Sequence, residues 1–274
     1  MSQEAQTQAA SAYLLSEVGG QSEAERLRRQ AEMILEQELP LILSALPPQG
    51  TLIDVGCGSG LLADAVAQRR PDAQVLGVDA DSLAVQEAQR LFGAVRNLRF
   101  EHRPVSGGPP VAGGADVLVM RLVLMHLPGP AQALQDLKAW AKPGGSLHLL
   151  EGDDRDIRLE PAMPELGALL DLMERVQQAR GGSRRRGRDL TALLGAAGWS
   201  PQGSRRNCPD PQRTAAALPA VFLPVADFYL QDAEKRAWLE AGEAAAWGLR
   251  LREACSAGLS KAELPLFHAW ATHG

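Results

Sequence analysis

The segment Asp54-Val55-Gly56-Cys57-Gly58-Ser59-Gly60 sets one carboxylate before three glycines at alternate positions. Glycines so spaced let a backbone turn sharply and come close to a ligand. The segment follows the apolar run TLIDVG (51–56) and precedes the helical run LLADAVAQRR (61–70). That junction is where open α/β sheets bind their ligands. Asp79 closes a second apolar run, QVLGVD (74–79), nineteen residues after Gly60. A carboxylate there can accept both hydrogen bonds of a ribose diol.

A nicotinamide site shares these features, so the spacing decides. Dinucleotide sites carry GxGxxG, with the pyrophosphate on a helix N-terminus. Here the third glycine comes one residue early, giving GxGxG, and Asp54 stands two residues before the first glycine. A carboxylate there would repel pyrophosphate. It suits a cationic ligand carrying an ammonium and a sulfonium. A nicotinamide oxidoreductase is therefore a distant reading.

Other groups offer acid–base or charge chemistry. His126 follows the apolar run DVLVMRLVL (116–124), and its ring could titrate near neutral pH as a general base. It could equally pack or cap the next turn. Glu151, Asp153 and Asp154 close another apolar run, SLHLLEGD (146–153), and could hold a cationic acceptor. Their turn-rich context favours a solvated loop. Arg184, Arg185, Arg186 and Arg188, with Arg205 and Arg206, are the one basic concentration. They could face an anionic or RNA acceptor. However, 24 of the 28 basic residues are arginine, the net charge is −5 and aromatics are scarce, which favours a solvated loop built from this chain's usual cation. Cys57, Cys208 and Cys255 form no CxxC pair, so neither a metal site nor a disulfide framework is expected.

The elements that must position these groups alternate. Apolar runs at 51–56, 74–79, 98–102, 116–124 and 146–153 read as strands, and 61–70, 82–93 and 131–142 as helices between them. Strands that are apolar throughout, with amphipathic helices between, predict a parallel sheet covered on both faces. Residues 22–46 read as helical, with Leu27, Ala31, Ile34 and Leu35 on one face and Pro40 breaking the run into two helices. Gly93 reads as a helix C-cap. Residues 165–180 and 189–198 read as helices, 199–207 as a sixth strand, 212–258 as mostly helical and 266–273 as a terminal strand. Hydrophobic residues make up 45% of the 274, enough for a full core. No unbroken apolar run reaches the roughly 18–20 residues of a membrane span, and the first residues lack a secretory pattern. A cytoplasmic protein is the expectation. The acidic charge argues against nucleic acid as the main partner.

The pattern resembles the class I S-adenosylmethionine-dependent methyltransferases. The likeness runs from about Thr51 to Gly198 and includes LIDVGCGSG, VLGVDAD, ADVLVMRLVLMHL and WAKPGG. Upstream, YLLSEVGGQSEAERLRRQ is similar to the lead-in of a subgroup acting mostly on small molecules. The resemblance implies a doubly wound, mostly parallel, seven-stranded α/β sheet, its last strand antiparallel between the fifth and sixth. An N-terminal tail and helical cover (1–46), a cofactor-binding core (47–207) and a helical insertion with the final strand (208–274) would make one domain. It implies S-adenosyl-L-methionine as cofactor, with S-adenosyl-L-homocysteine as product. Asp54, Gly56, Cys57, Gly58 and Gly60 would bind the cofactor. Asp79 would take the ribose, Ala80 would lie on the adenine, and Arg103, Pro104 and Val105 would flank it. Arg121 and Leu122 would lie near the methionine part, with Tyr13 and Arg26 folding over it. One departure stands out: the family's usual acid after the third strand is replaced by Arg103 and Pro104, with Glu101 two residues too early. The expected reaction is methyl transfer to a small organic acceptor by a monomer or homodimer. RNA or protein acceptors, and cofactor binding without turnover, remain alternatives.

Overall fold

A computed structural model describes residues 21–274. Helix α1 (Gln21–Ala45) leads into β1 (Thr51–Val55), α2 (Leu61–Arg69), β2 (Gln74–Asp79), α3 (Ser82–Phe92), β3 (Leu98–His102) and β4 (Ala115–Arg121). Then follow α4 (Pro130–Asp136), β5 (Ala141–Gly152), β6 (Arg158–Glu160), α5 (Leu166–Ala179), α6 (Leu190–Ala196) and β7 (Ser200–Asn207). The remaining elements are α7 (Pro211–Lys235), α8 (Glu243–Ser256), β8 (Lys261–Glu263) and β9 (Leu266–Thr272).

Seven strands form one sheet in the order β3-β2-β1-β4-β5-β9-β7. The first five are parallel, and β9 runs antiparallel to both β5 and β7. The order reverses between β1 and β4. Their carboxyl ends diverge there and open a crevice. Side chains alternate between two cores, as a strand's period of two requires. Ile53, Leu118 and Leu149 join Trp140, Leu190 and Leu194 on one face. Leu52, Val75 and Val117 join Leu39, Ile42, Leu62 and Val66 on the other.

Two readings of the sequence need correction, and one is refined. Pro40 lies inside one continuous α1 rather than between two helices. Proline in a helix interior costs about 3 kcal/mol. The buried Leu39 and Ile42 of the same turn supply the compensating contacts against the sheet. Gly93 is the C-cap of α3 as expected, its N–H reaching Gln89 O, though in a right-handed rather than a left-handed conformation, φ −62°. A Cβ there would lie 2.4 Å from Gln89 O, which explains the glycine by space instead. Lys142-Pro143-Gly144-Gly145 lies within β5 rather than ending a helix.

A third core stands beyond the sheet's carboxyl edge, joining α5, α7, α8 and β8. Asp210 caps α7 by accepting from the Gln212 and Arg213 amides, and Pro211 fits the first turn. Among the described residues α7 is the one helix long and apolar enough to cross a membrane. Its Leu218, Phe222, Ala226, Tyr229 and Leu230 are instead buried against this third core. The antiparallel ribbon of β6 and β8 ties the insertion after β5 to the segment leading into β9.

Candidate active site

The glycine loop leaves β1 and is held by its neighbours. Gly56 and Cys57 both donate to Val78 O, at 2.8 and 3.0 Å. Gly56 has φ +72°, and a Cβ there would meet Val123 Cγ2 at 2.4 Å. Gly58 differs: a Cβ there would find only Leu27 Cδ1, at 4.0 Å. Gly56 is thus required by packing, whereas Gly58 borders open space. Gly60 sets the start of α2 in a left-handed conformation against Phe100.

Asp79 latches this loop. Its Oδ2 accepts from Gly58 N and its Oδ1 from Asp81 N, both at 2.9 Å. Burial raises its pKa, opposed by those amide bonds. Asp54 is buried at the end of β1, and its Oδ2 has no hydrogen-bond partner. Burial lifts its pKa to about 6 against the pull of Arg121. Glu38 of α1 has no motif context in the sequence. It pairs with Arg121 at 3.5 Å, leaves Oε1 unpartnered and is pushed by burial up to about 7. Glu38, Asp54 and Arg121 thus form a buried cluster with two carboxylates and one guanidinium. Leu122, next along, has φ +56°. A non-glycine residue there carries backbone strain on the order of 1–2 kcal/mol.

A cavity of about 480 Å³ joins these groups. Gly56, Cys57, Gly58, Asp79, Ala80, Arg103, Pro104, Val105, Arg121, Leu122 and Arg26 line it, as does His126. Asp54 and Gly60 stand behind its wall rather than on it. Tyr13 lies outside the described residues. Arg103 turns back on its own loop, donating to Gly107 O and lying 3.5 Å from Glu101. Arg26 donates to Gln30 Oε1 and Val221 O, which ties α1 to α7 over the cavity.

His126 departs from a ring that titrates near neutral pH. Burial first, then the charges of Arg184, Arg26 and Arg180, push its pKa down to about 3. The turn that carries it, Leu124–His126, is pinned by Glu151, whose Oε1 accepts from Leu124 N at 2.6 Å. Glu151 is fully buried, and that burial lifts its pKa to about 8 against the backbone amides it accepts from.

The acids after β5 are therefore not a solvated loop. Asp153 and Asp154 are also buried. Arg155 holds Asp153 through two contacts, at 2.7 and 2.5 Å, and Arg184 holds Asp154 at 2.6 and 3.3 Å. The arginine cluster is not a solvated loop either. Arg184 is mostly buried, Arg185 pairs with Asp171, and Arg188 with Asp156. Arg206 lies 3.9 Å from Asp156, and Arg205 donates to Gln37 O at 2.7 Å. One ion pair, Arg184 with Asp154, joins the two clusters, and most of their other members find partners outside them. Separation of some 30 residues hid this pairing from the sequence. The three cysteines are free, and no cluster suited to a metal occurs among the described residues.

Residues 53–147 match a family model described as a methyltransferase domain. An uncharacterized methyltransferase of Mycobacterium bovis is 36% identical over 108 residues, 39% of this chain and 53% of that one. A ubiquinone biosynthesis O-methyltransferase of Albidiferax ferrireducens is 37% identical over 97 residues, 34% of this chain and 38% of that one. The chain thus spans about half, or less, of the length of these relatives. A methyltransferase of Geobacter sulfurreducens, solved with S-adenosyl-L-homocysteine, shares the fold: TM-score 0.52 at 18% identity, covering 86% of this chain and 91% of that one. The chain thus matches a methyltransferase domain over residues 53–147 and shares, in its sheet order, the fold of that methyltransferase.

Proposed function

We propose that this protein transfers a methyl group from S-adenosyl-L-methionine to a small organic acceptor bound in the same cavity. The observation that carries the reading is the continuity of the cavity from the open flank of Gly58 to His126 and the apolar wall of α7. The residues fit the cofactor. Gly58 leaves room for a close approach, Asp79 offers lone pairs to a ribose, and the unpartnered Asp54 oxygen gives a buried anion beside a cationic ligand. When bound, the cofactor supplies an electrophilic methyl on a sulfonium. The chain's work is to bind, orient and exclude water. Asp79 orders the loop, and the Glu38–Asp54–Arg121 cluster sets the charge behind it. Gly56, Cys57 and Gly60 shape the loop, while Leu122 and Ala80 give apolar contact. Arg26 closes one side, and Pro104 and Val105 flank the adenine end. His126 faces the acceptor.

The acceptor is proposed to be small because α1 and α7 roof the cavity. An RNA acceptor is the weaker reading, since most of the arginines that would form its track are paired with carboxylates. The test has two stages. S-adenosyl-L-methionine, S-adenosyl-L-homocysteine and NAD are titrated calorimetrically, and only the first two should bind. Turnover is then read as S-adenosyl-L-homocysteine released with panels of phenols, carboxylic acids, amines and thiols. Silence of both sulfur nucleotides would overturn the proposal. Binding with no release across the panels would favour a non-catalytic binding protein.

A further inference from the structure

Three elements bring charge to one buried place behind the glycine loop. Glu38 comes from α1, Asp54 from β1 and Arg121 from β4. Glu38 is 1% exposed and Asp54 2%. Arg121 Nη1 lies 3.5 Å from Glu38 Oε2, beyond the roughly 2.7–2.9 Å of a charge-assisted hydrogen bond. The Ala63 amide, at the start of α2, donates to Asp54. Glu38 Oε1 and Asp54 Oδ2 are both buried without a hydrogen-bond partner. Two carboxylates therefore share one guanidinium, and each keeps an oxygen with nothing to accept from.

An ionised carboxylate taken out of water needs donors for its lone pairs. With both ionised, the cluster sets two negative charges against the one positive charge of Arg121. A single proton on the pair brings the net charge to zero and turns one orphaned oxygen into a hydroxyl. The other charges nearby leave that balance in place. Arg205 of β7 acts on Glu38, but its Nη2 is held by Gln37 O at 2.7 Å. Asp79 of β2 adds to the repulsion on Asp54, and its own oxygens are held by the Gly58 and Asp81 amides. The Cys57 thiol is pushed up by burial and by the Asp79 and Asp54 carboxylates, so it stays neutral. Burial, opposed by Arg121, lifts Glu38 to about 7 and Asp54 to about 6, so Glu38 keeps the proton longer. The cluster borders the cofactor end of the cavity. Arg121 lines it beside Val55 and Gly56, with Asp54 and Glu38 behind that wall.

We propose that Glu38, with Asp54 and Arg121, makes this site selective for a cationic cofactor: the two carboxylates hold one proton while the site is empty and release it when S-adenosyl-L-methionine binds. The proposal rests on the methyltransferase reading above and names what sets the affinity of that same site. On binding, the proton passes to solvent and the cluster goes from neutral to one negative charge, facing a ligand that carries a sulfonium and an ammonium. Methyl transfer removes the sulfonium charge, so the cluster then holds S-adenosyl-L-homocysteine less tightly than the substrate. Glu38 is a positioning residue, because it acts through Arg121 and through charge. The sign of the linkage follows. The empty protein binds more protons than the complex, so affinity rises with pH.

Calorimetry between about pH 5 and about pH 7 tests this, a range in which the amino group of either sulfur nucleotide stays charged. Affinity for S-adenosyl-L-methionine should rise roughly tenfold across it. S-adenosyl-L-homocysteine, which lacks only the methyl and its charge, should gain less. The affinity of 5′-methylthioadenosine, which keeps the ribose but carries no amino acid, should stay constant, and this controls for Asp79. Glu38→Gln should flatten the rise and bring the two sulfur nucleotides closer in affinity. Carbon-13 NMR of the cofactor-free protein should show a carboxyl titrating near neutral pH that Glu38→Gln removes. A flat or falling profile for S-adenosyl-L-methionine, an equal rise for either comparison nucleotide, or a slope retained in Glu38→Gln would overturn the proposal. The first two outcomes need the wild type alone, so a variant that fails to fold leaves the test intact. Silence of both sulfur nucleotides at every pH would instead sink the methyltransferase reading, and the carboxyl titration of the empty protein would still be measured.

Discussion

Asp79→Asn changes one atom and should produce two separable losses. In the cofactor-free protein both carboxylate oxygens are engaged, each by a backbone amide at 2.9 Å. An asparagine can accept at only one of those places. At the other its NH2 meets an N–H of Gly58 or Asp81, donor against donor. A buried donor left without a partner costs about 1–3 kcal/mol. For a domain of this size that lowers the melting midpoint by roughly 2–4 °C per kcal/mol. The second loss is in the cofactor. A carboxylate can accept from both hydroxyls of a ribose, whereas an amide can accept at one oxygen only. Losing one bond to a charged group costs about 1.5–3 kcal/mol, which weakens affinity for S-adenosyl-L-homocysteine roughly 10- to 150-fold. Differential scanning fluorimetry reads the first quantity and calorimetry the second. An unchanged midpoint would refute the latch on the Gly58 loop. Affinity within about twofold of wild type would refute the ribose assignment, even if the midpoint fell.

Three further outcomes follow from buried charges. Glu151 is raised from 4.5 to about 8 by burial, so the folded state holds a proton that the unfolded chain releases first. Its contribution is complete below about pH 4.5 and is lost as pH rises through 8. Denaturant titrations should show Glu151→Gln flattening that decline, by an amount on the order of a few kcal/mol. A wild type equally stable at pH 5 and pH 8.5, with the variant running parallel, would contradict this. The buried pair His148 and His268, 3.1 Å apart, has the opposite sign. Burial lowers their pKa values to about 4 and about 3, so their contribution is present above about pH 6.5 and lost as pH falls through those values. His148→Phe should blunt the acid-side loss in the same titrations, and an unchanged acid limb would argue against it. Arg184→Leu strips the guanidinium from the buried Asp154 and should cost about 3–5 kcal/mol. Asp154→Leu added to it should recover a large part, and a double variant as unstable as the sum of the singles would show the pair is not coupled.

The fold was legible where one residue's neighbours in sequence settle its state. TLIDV and QVLGVD carry apolar residues at both odd and even positions, which a strand buried on both faces accommodates, and each ends just before a helix. The glycine loop and Asp79 were legible for the same reason, since their spacing is itself the geometry. Pro40 was misread because its local cost is real and its compensation is not local. Leu39 and Ile42 find their contacts on strands that begin later in the chain. The β6–β8 ribbon could not be seen at all. Its strands, Arg158–Glu160 and Lys261–Glu263, are three residues each and a hundred residues apart.

The His126 side of the cavity was illegible for a further reason, which is charge rather than distance alone. Glu151, Asp153 and Asp154 beside a turn, and Arg184, Arg185 and Arg188 beside another, each read as solvated when taken separately. Hydration is the cheapest state for a charge considered alone. Brought together, Arg184 and Asp154 satisfy one another, and Asp153, Arg185 and Arg188 find partners elsewhere. The buried Asp154 and Glu174 are engaged by the side chain and the backbone amide of Arg184, and the same loop that carries those arginines carries Gly182 against Gln177. The pairing therefore does more than remove charge from a wall. It fixes the loop that packs against Gln177, whose Nε2 lies 3.3 Å from His126 Nδ1. His126 was read from the sequence as a candidate base because a histidine at a sheet's carboxyl edge is ordinarily free to take a proton. What removes that freedom is burial first, then the charges of Arg184, Arg26 and Arg180, brought together from α1 and the loop between α5 and α6. No spacing rule along the chain contains it.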